Sequence, residues 1–193
     1  MKWSIAFISI ASIALLPSCA TVKISQGERD ALKVLQRYLA LDRSGARVDD
    51  KRYHSAAALT QWQEEPDWDL IVVISGSAIS RPQSNGGTTS ARVKFVVEGV
   101  IDVDTFYPVT ALPPELADRV DPVETVEFLV SPSKDGWKIV TPQLPPHIGF
   151  SAARTLLEQM NAQAALQTLG DAEYAAKLKG ARAGHCNCER LDF

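Results

Sequence analysis

The chain has 193 residues, 46% of them hydrophobic and 22% charged, with a formal net charge of −3, proportions that suit one globular domain with short additions. No run of Lys and Arg is dense enough to recruit nucleic acid. The three cysteines, Cys19, Cys186 and Cys188, are too few and too unevenly spaced for a disulfide framework or a four-ligand zinc site.

Residues 1–18 carry Lys2 and then an uncharged run over residues 3–16. That run is short for a membrane span and no stop-transfer charges follow it, so it reads as an export signal. Leu16-Pro17-Ser18-Cys19 resembles the lipobox of bacterial lipoproteins. The resemblance implies cleavage before Cys19, acylation of that cysteine, and a protein held by its lipid in the cell envelope. Two or three acyl chains would anchor it firmly. Ala20 stands where enteric lipoproteins retained in the inner membrane carry aspartate, which directs the expectation to the outer membrane, facing the periplasm. The competing reading is an ordinary cleaved signal, with Ser18 and Ala20 as the small residues before the cut.

After a tether over residues 19–24, Ser25 and Glu28 have capping-box spacing, in which each side chain satisfies a backbone donor of the other. Ala31, Val34, Leu35, Tyr38 and Leu39 continue at helical spacing, and Gly45 is a natural stop. Asp49 or Asp50 can cap a second helix through Tyr53 and Leu59. Residues 70–79 are rich in β-branched side chains and predict a strand. Residues 81–89 hold Pro82, Asn85, Gly86 and Gly87, a turn that makes the flanking strands an antiparallel pair.

The longest strand signal is residues 90–104. Ala91, Val93, Phe95, Val97, Gly99, Ile101 and Val103 alternate with Arg92, Lys94, Glu98, Asp102 and Asp104, so one face is core and the other wet. Gly99 marks the expected bend in so long a strand. An irregular stretch follows to Pro122, with room for a turn of helix over residues 115–119. Val126, Phe128 and Val130, a turn over residues 131–136, then Trp137 and Ile139 predict a second hairpin. Pro145-Pro146 is read as the end of the sheet. Residues 151–168 predict a helix, Gly170-Asp171 its break and the cap of a shorter one to Gly180, and residues 181–193 a disordered tail.

A helix ending in Ala40-Leu41-Asp42-Arg43-Ser44-Gly45, a second carrying Tyr53, and bent antiparallel strands closing on Gly136-Trp137-Lys138-Ile139 resemble the nuclear transport factor 2-like superfamily. The resemblance implies an α+β fold: a strongly curved antiparallel sheet packed on the N-terminal helices as a cone over residues 25–150. A C-terminal helical extension over residues 151–180 follows.

That superfamily includes isomerase- and dehydratase-like enzymes whose cone interiors hold an acid or histidine beside a tyrosine, where an apolar pocket tunes the acid. Tyr38 and Asp42 share a helix face, and His54 could approach them from the second helix. The plainer reading is a buried ring, a helix-end aspartate and a surface histidine. Trp62, Trp68 and Trp137 could line a pocket for a small apolar ligand, or fill the core and seal a sheet edge. His147 has no visible partner. His185-Cys186-Asn187-Cys188 could hold a soft metal, yet it sits in a tail without fixed geometry. No cofactor, metal site or catalytic set is therefore expected. The expected role is a non-catalytic binding or accessory module anchored to the membrane, with an envelope protein or small apolar ligand as partner. The alternative is a small cone-pocket enzyme using Tyr38, Asp42 and His54, and a third reading docks the C-terminal helices on another envelope component.

Overall fold

The computed structural model describes residues 24–62 and 64–183. The export signal, Cys19, nearly all of the tether and the His185-Cys186-Asn187-Cys188 group lie outside the described residues.

The long strand is the spine of the molecule. β3 (Thr88–Asp102) pairs antiparallel along one edge with β1 (Leu70–Ile79) and then with the short β2 (Gln83–Asn85). Along its other edge it pairs with β4 (Thr105–Pro108) and β5 (Val123–Ser133). β6 (Gly136–Thr141) continues the sheet beyond β5, and β7 (His147–Gly149) lies along the far edge of β1. The sheet is strongly curled, and with the flanking helices it gives the expected cone-like α+β fold.

Helix α1 (Gln26–Arg43) starts where its capping box requires: the Glu28 amide donates to Ser25 Oγ at 3.2 Å and the Ser25 amide donates to Glu28 Oε2 at 2.7 Å. Ala31, Leu35, Tyr38 and Leu39 lie on one stripe of α1 and are buried, the pattern of a helix packed on a sheet. Together with Val93, Phe95, Val97, Val100, Phe128 and Ile139 they form the inner core. Gly45 ends the helix in the left-handed region at φ 80°. A short 3-10 turn, Ala46–Val48, then leads into α2 (Asp50–Ala57), which Asp49 caps.

A second core lies on the opposite face, because adjacent residues of one strand divide between the two: Val72 and Ile74 belong to the first, Val73 to the second. Here α4 (Phe150–Gln159) and α5 (Gln163–Ala183) pack Ala153, Leu157, Ala165 and Leu169 against Val73, Ile101, Phe106 and Ile148. The leucines of residues 151–168 are thus spent largely on the protein's own sheet, and the large exposed apolar side chains of α5 are Tyr174 and Leu178. No leucine of residues 151–168 is among the large exposed apolar side chains.

The structure departs from the sequence expectations in four places. The alternation of β3 holds from Ala91 to Val97 and then slips: Glu98 is buried, Val100 joins the inner core, Ile101 joins the outer one, and Val103 is exposed in a turn. The cause is a register step between β1 and β3, where Val73 pairs with Gly99 but Ile74 with Val97, and a one-residue slip exchanges the faces of a strand. The irregular stretch contains β4, hidden because its hairpin turns at Val103 with φ 53°, a conformation β-branched residues seldom enter.

Pro145-Pro146 does not end the sheet. The Pro146 carbonyl accepts from the Val72 amide at 2.8 Å, and β7 follows at once, parallel to β1, so the sheet is mixed rather than wholly antiparallel. Proline is tolerated there because an edge position needs its carbonyl and not an N–H. Finally, the C-terminal helices break at Asn161, which takes φ 55° as a left-handed helix end. Gly170 and Asp171 sit inside α5, which runs to Ala183, past the expected end at Gly180. A glycine inside a helix costs only about 1 kcal/mol relative to alanine, and Leu169 beside it is fully buried.

Gly99 is required for space. A Cβ there would lie 2.6 Å from the Phe106 ring and closer still to the Tyr107 carbonyl. Gly99→Ala is expected to lose about 1–3 kcal/mol by overpacking, seen as a lower urea midpoint at unchanged slope; an unchanged midpoint would mean that β4 yields without cost.

Candidate functional site

The polar groups of the cone cluster around Arg47. The left-handed turn at Gly45 sends the following 3-10 turn back beneath α1, and the Arg47 side chain is completely buried. Its guanidinium forks onto Glu65, with Nη2 2.6 Å and Nε 3.1 Å from the carboxylate. Nη2 also donates to the Leu144 carbonyl at 2.7 Å. Nη1 faces Asp42 as an ion pair at 3.5 Å. The guanidinium carbon lies 5.8 Å from the centre of the Tyr38 ring. One side chain therefore joins the end of α1, the loop before β1 and the segment after β6.

Asp42 also accepts the backbone amide of His147 at 3.1 Å. Burial pushes its carboxyl up to about 6, against the opposing pull of Arg47 and His147. Arg47 is driven the other way: burial works against its charge, but Asp42 and Glu65 outweigh it and hold the guanidinium more firmly protonated. Burial likewise raises the Tyr38 phenol, with Asp42 adding to the effect.

His147 is 2% exposed and stacks 4.4 Å from Phe95. Its Nδ1 lies 2.7 Å from the Pro145 carbonyl, which can only accept, so Nδ1 carries a proton. Its Nε2 lies 3.0 Å from Glu124 Oε2, and the two share a proton or form a charged pair. Sequence reasoning missed Arg47, Glu65, Glu124 and the partners of His147. These residues lie on separate segments and share no spacing that would have revealed them.

The expected pocket residues divide. Tyr38, Asp42 and Trp62 come together: Trp62 meets Tyr38 edge-on at 6.0 Å and donates its indole N–H to the Val140 carbonyl at 2.9 Å, sealing the edge of β6 as the plainer reading held. Trp68 donates to Glu65 at 3.4 Å. His54 does not approach Tyr38 or Asp42. It is exposed on α2 beside Tyr53, because the buried stripe of that helix runs through Ala56 instead. His54 and Trp137 line a cleft of about 610 Å³ on the outside, with Arg37 and Lys138. A second outer cleft, of about 700 Å³, runs between the end of α1, the start of α2 and α4. Among the described residues no cluster of three or more metal-ligating side chains occurs.

Asp42 gives a pH prediction. Its folded value lies above the ordinary 3.8, so its contribution to stability is complete below pH 3.8 and is lost as pH rises through about 6. The stability of the wild type minus that of Asp42→Asn is expected to fall by about 2 kcal/mol between pH 4 and pH 7. Chemical denaturation of both proteins across that range measures it, and a difference that stays level or rises would reverse the assignment.

In comparison with known proteins, no family model matches the chain, and no curated protein or solved structure matches it significantly. The protein is therefore defined by its structure: a curled, cone-like α+β fold with a filled interior, a buried charge network, and clefts on its outside.

Proposed function

We propose that the protein is a lipid-anchored cell-envelope module that works by binding through its outer surface, not by chemistry inside the cone. The observation that carries this reading is the filled interior: Leu35, Tyr38, Phe95, Phe128 and Ile139 are each at most 2% exposed, and the polar groups beside them are partnered with one another. An isomerase-like site needs a void in which a reacting atom can meet an acid and a base. The cone-pocket alternative also lacks its third member, since His54 lies on the outside.

The lipobox-like Leu16-Pro17-Ser18-Cys19 supports the anchor, and the resemblance to nuclear transport factor 2-like proteins suits a fold that serves many roles. Five residues separate Cys19 from Ser25, at most about 20 Å of chain. An acylated Cys19 would keep the start of α1, and Trp137 packed on Gly27, close to the bilayer. The clefts beside α4 and α5 would then be free to meet a partner or ligand in the periplasm. Among the described residues no helix is long and apolar enough to cross a membrane. Mass spectrometry of the mature N-terminus tests this: an acylated Cys19 is expected, with release into the soluble fraction for Cys19→Ser. An unmodified terminus at Thr21 would remove the anchor.

A further inference from the structure

β1 and β3 each carry one residue left over where their ladder steps. Val73 pairs with Gly99, Ile74 with Val97 and Gly76 with Val96, which leaves Ser75 on one strand and Glu98 on the other. Bulges of this kind re-aim side chains, and here the two leftovers meet: Ser75 Oγ donates to Glu98 Oε1 at 2.7 Å. Glu98 is 7% exposed. Glu98 lines a cleft of about 230 Å³ between the end of β4 and α5, walled by Pro108, Val109, Ala172 and Ala175, with Thr110, Thr168 and the exposed Asp171 alongside. Among the described residues every buried side-chain oxygen and nitrogen has a hydrogen-bond partner, so the edge of the carboxylate that Ser75 does not reach opens to the water of the cleft.

We propose that this cleft binds a small primary ammonium group, with Glu98 as its counter-charge. A carboxylate that opens to a cleft with apolar walls, with a second carboxylate at its rim, favours a cation that can donate hydrogen bonds, because charge-assisted bonds are roughly twice as strong as neutral ones. The three N–H donors of an ammonium suit Oε2 and the two threonine hydroxyls. The volume admits only a short chain behind the charge. Two carboxylates with two hydroxyls fall short of the six or more oxygens that calcium takes, and among the described residues no group of three or more His, Cys, Asp or Glu that could hold a metal ion occurs. Lys179 borders the same cleft from the exposed side of α5, so the chain's own ammonium competes for the position or closes it.

The proposal rests on the reading that the outer surface is the working part of the protein, but not on the anchor, which the mass of the N-terminus scores separately. The test is a titration of the detergent-solubilised full chain with propylammonium chloride, followed by amide NMR shifts, with 1-propanol as the uncharged comparison. Saturable shifts centred on Glu98, Thr110 and Ala172 are expected for the ammonium alone. Glu98→Gln should weaken binding at least about tenfold, and Lys179→Ala should leave it equal or tighter. Ala175→Phe, on the exposed helix and away from the core, should block the cleft even if Glu98→Gln does not fold. No saturable shift, the same shifts with 1-propanol, or binding unchanged in Glu98→Gln or Ala175→Phe would overturn the proposal.

Discussion

Arg47→Ala is expected to lose about 3–5 kcal/mol, the largest loss for a single residue outside the apolar core, because it leaves buried charges without their partner. Asp42 is 3% exposed and the Glu65 side chain 10%, and both face the guanidinium. The Leu144 carbonyl would lose a 2.7 Å donor at the same time. Equilibrium urea unfolding measures the loss as a lower midpoint. The comparison that isolates charge from packing replaces Arg47, Asp42 and Glu65 together with apolar residues of similar volume. This triple variant is expected to recover most of the stability, since a buried ionic cluster is often no better than a well-packed apolar one. A loss below about 1 kcal/mol for Arg47→Ala would place the cluster among weak surface pairs and contradict its burial.

Phe95→Asp is expected to abolish cooperative folding. Phe95 is 1% exposed, at the middle of the spine strand, with its ring against His147. Removing the ring costs about 3–5 kcal/mol, and burying a carboxylate in its place adds several more, against a total stability of about 5–15 kcal/mol for an ordinary domain. The outward neighbour supplies the control: Lys94 is exposed on the same strand, and Lys94→Asp should shift stability by no more than about 0.5 kcal/mol. Near-UV circular dichroism with thermal melting separates the two. A wild-type melt for Phe95→Asp would mean that the inner face of β3 is wrongly assigned.

These two variants also mark how far the sequence could be read. Phe95 was legible because Ala91, Val93, Phe95 and Val97 alternate with charged or exposed neighbours, and period-two patterning is a local property. Arg47 was not, because its partners lie 5, 18 and 97 residues away. Only folding brings them together. Of the proposed interior group, Tyr38 and Asp42 were found because one helix face carries both, whereas His54 was assigned across two helices whose mutual rotation local spacing leaves open. The histidine that does lie near Asp42 is His147, which meets it through the backbone amide while its ring is held by Pro145, Glu124 and Phe95; it is delivered by a strand that follows two prolines and looked like the end of the sheet.

By itself the chain determined the capped first helix, the stop at Gly45, the strand at Leu70–Ile79, the long central strand and the hairpin that follows, for which caps, turn residues and periodicity act within a few positions of one another. The tertiary structure decided the rest: the step that turned Glu98 inward, the parallel edge strand, the break at Asn161, and the burial of Arg47. Each of these depends on how one segment registers against another, and that register is set by packing between residues far apart in the chain rather than by the preference of any one of them.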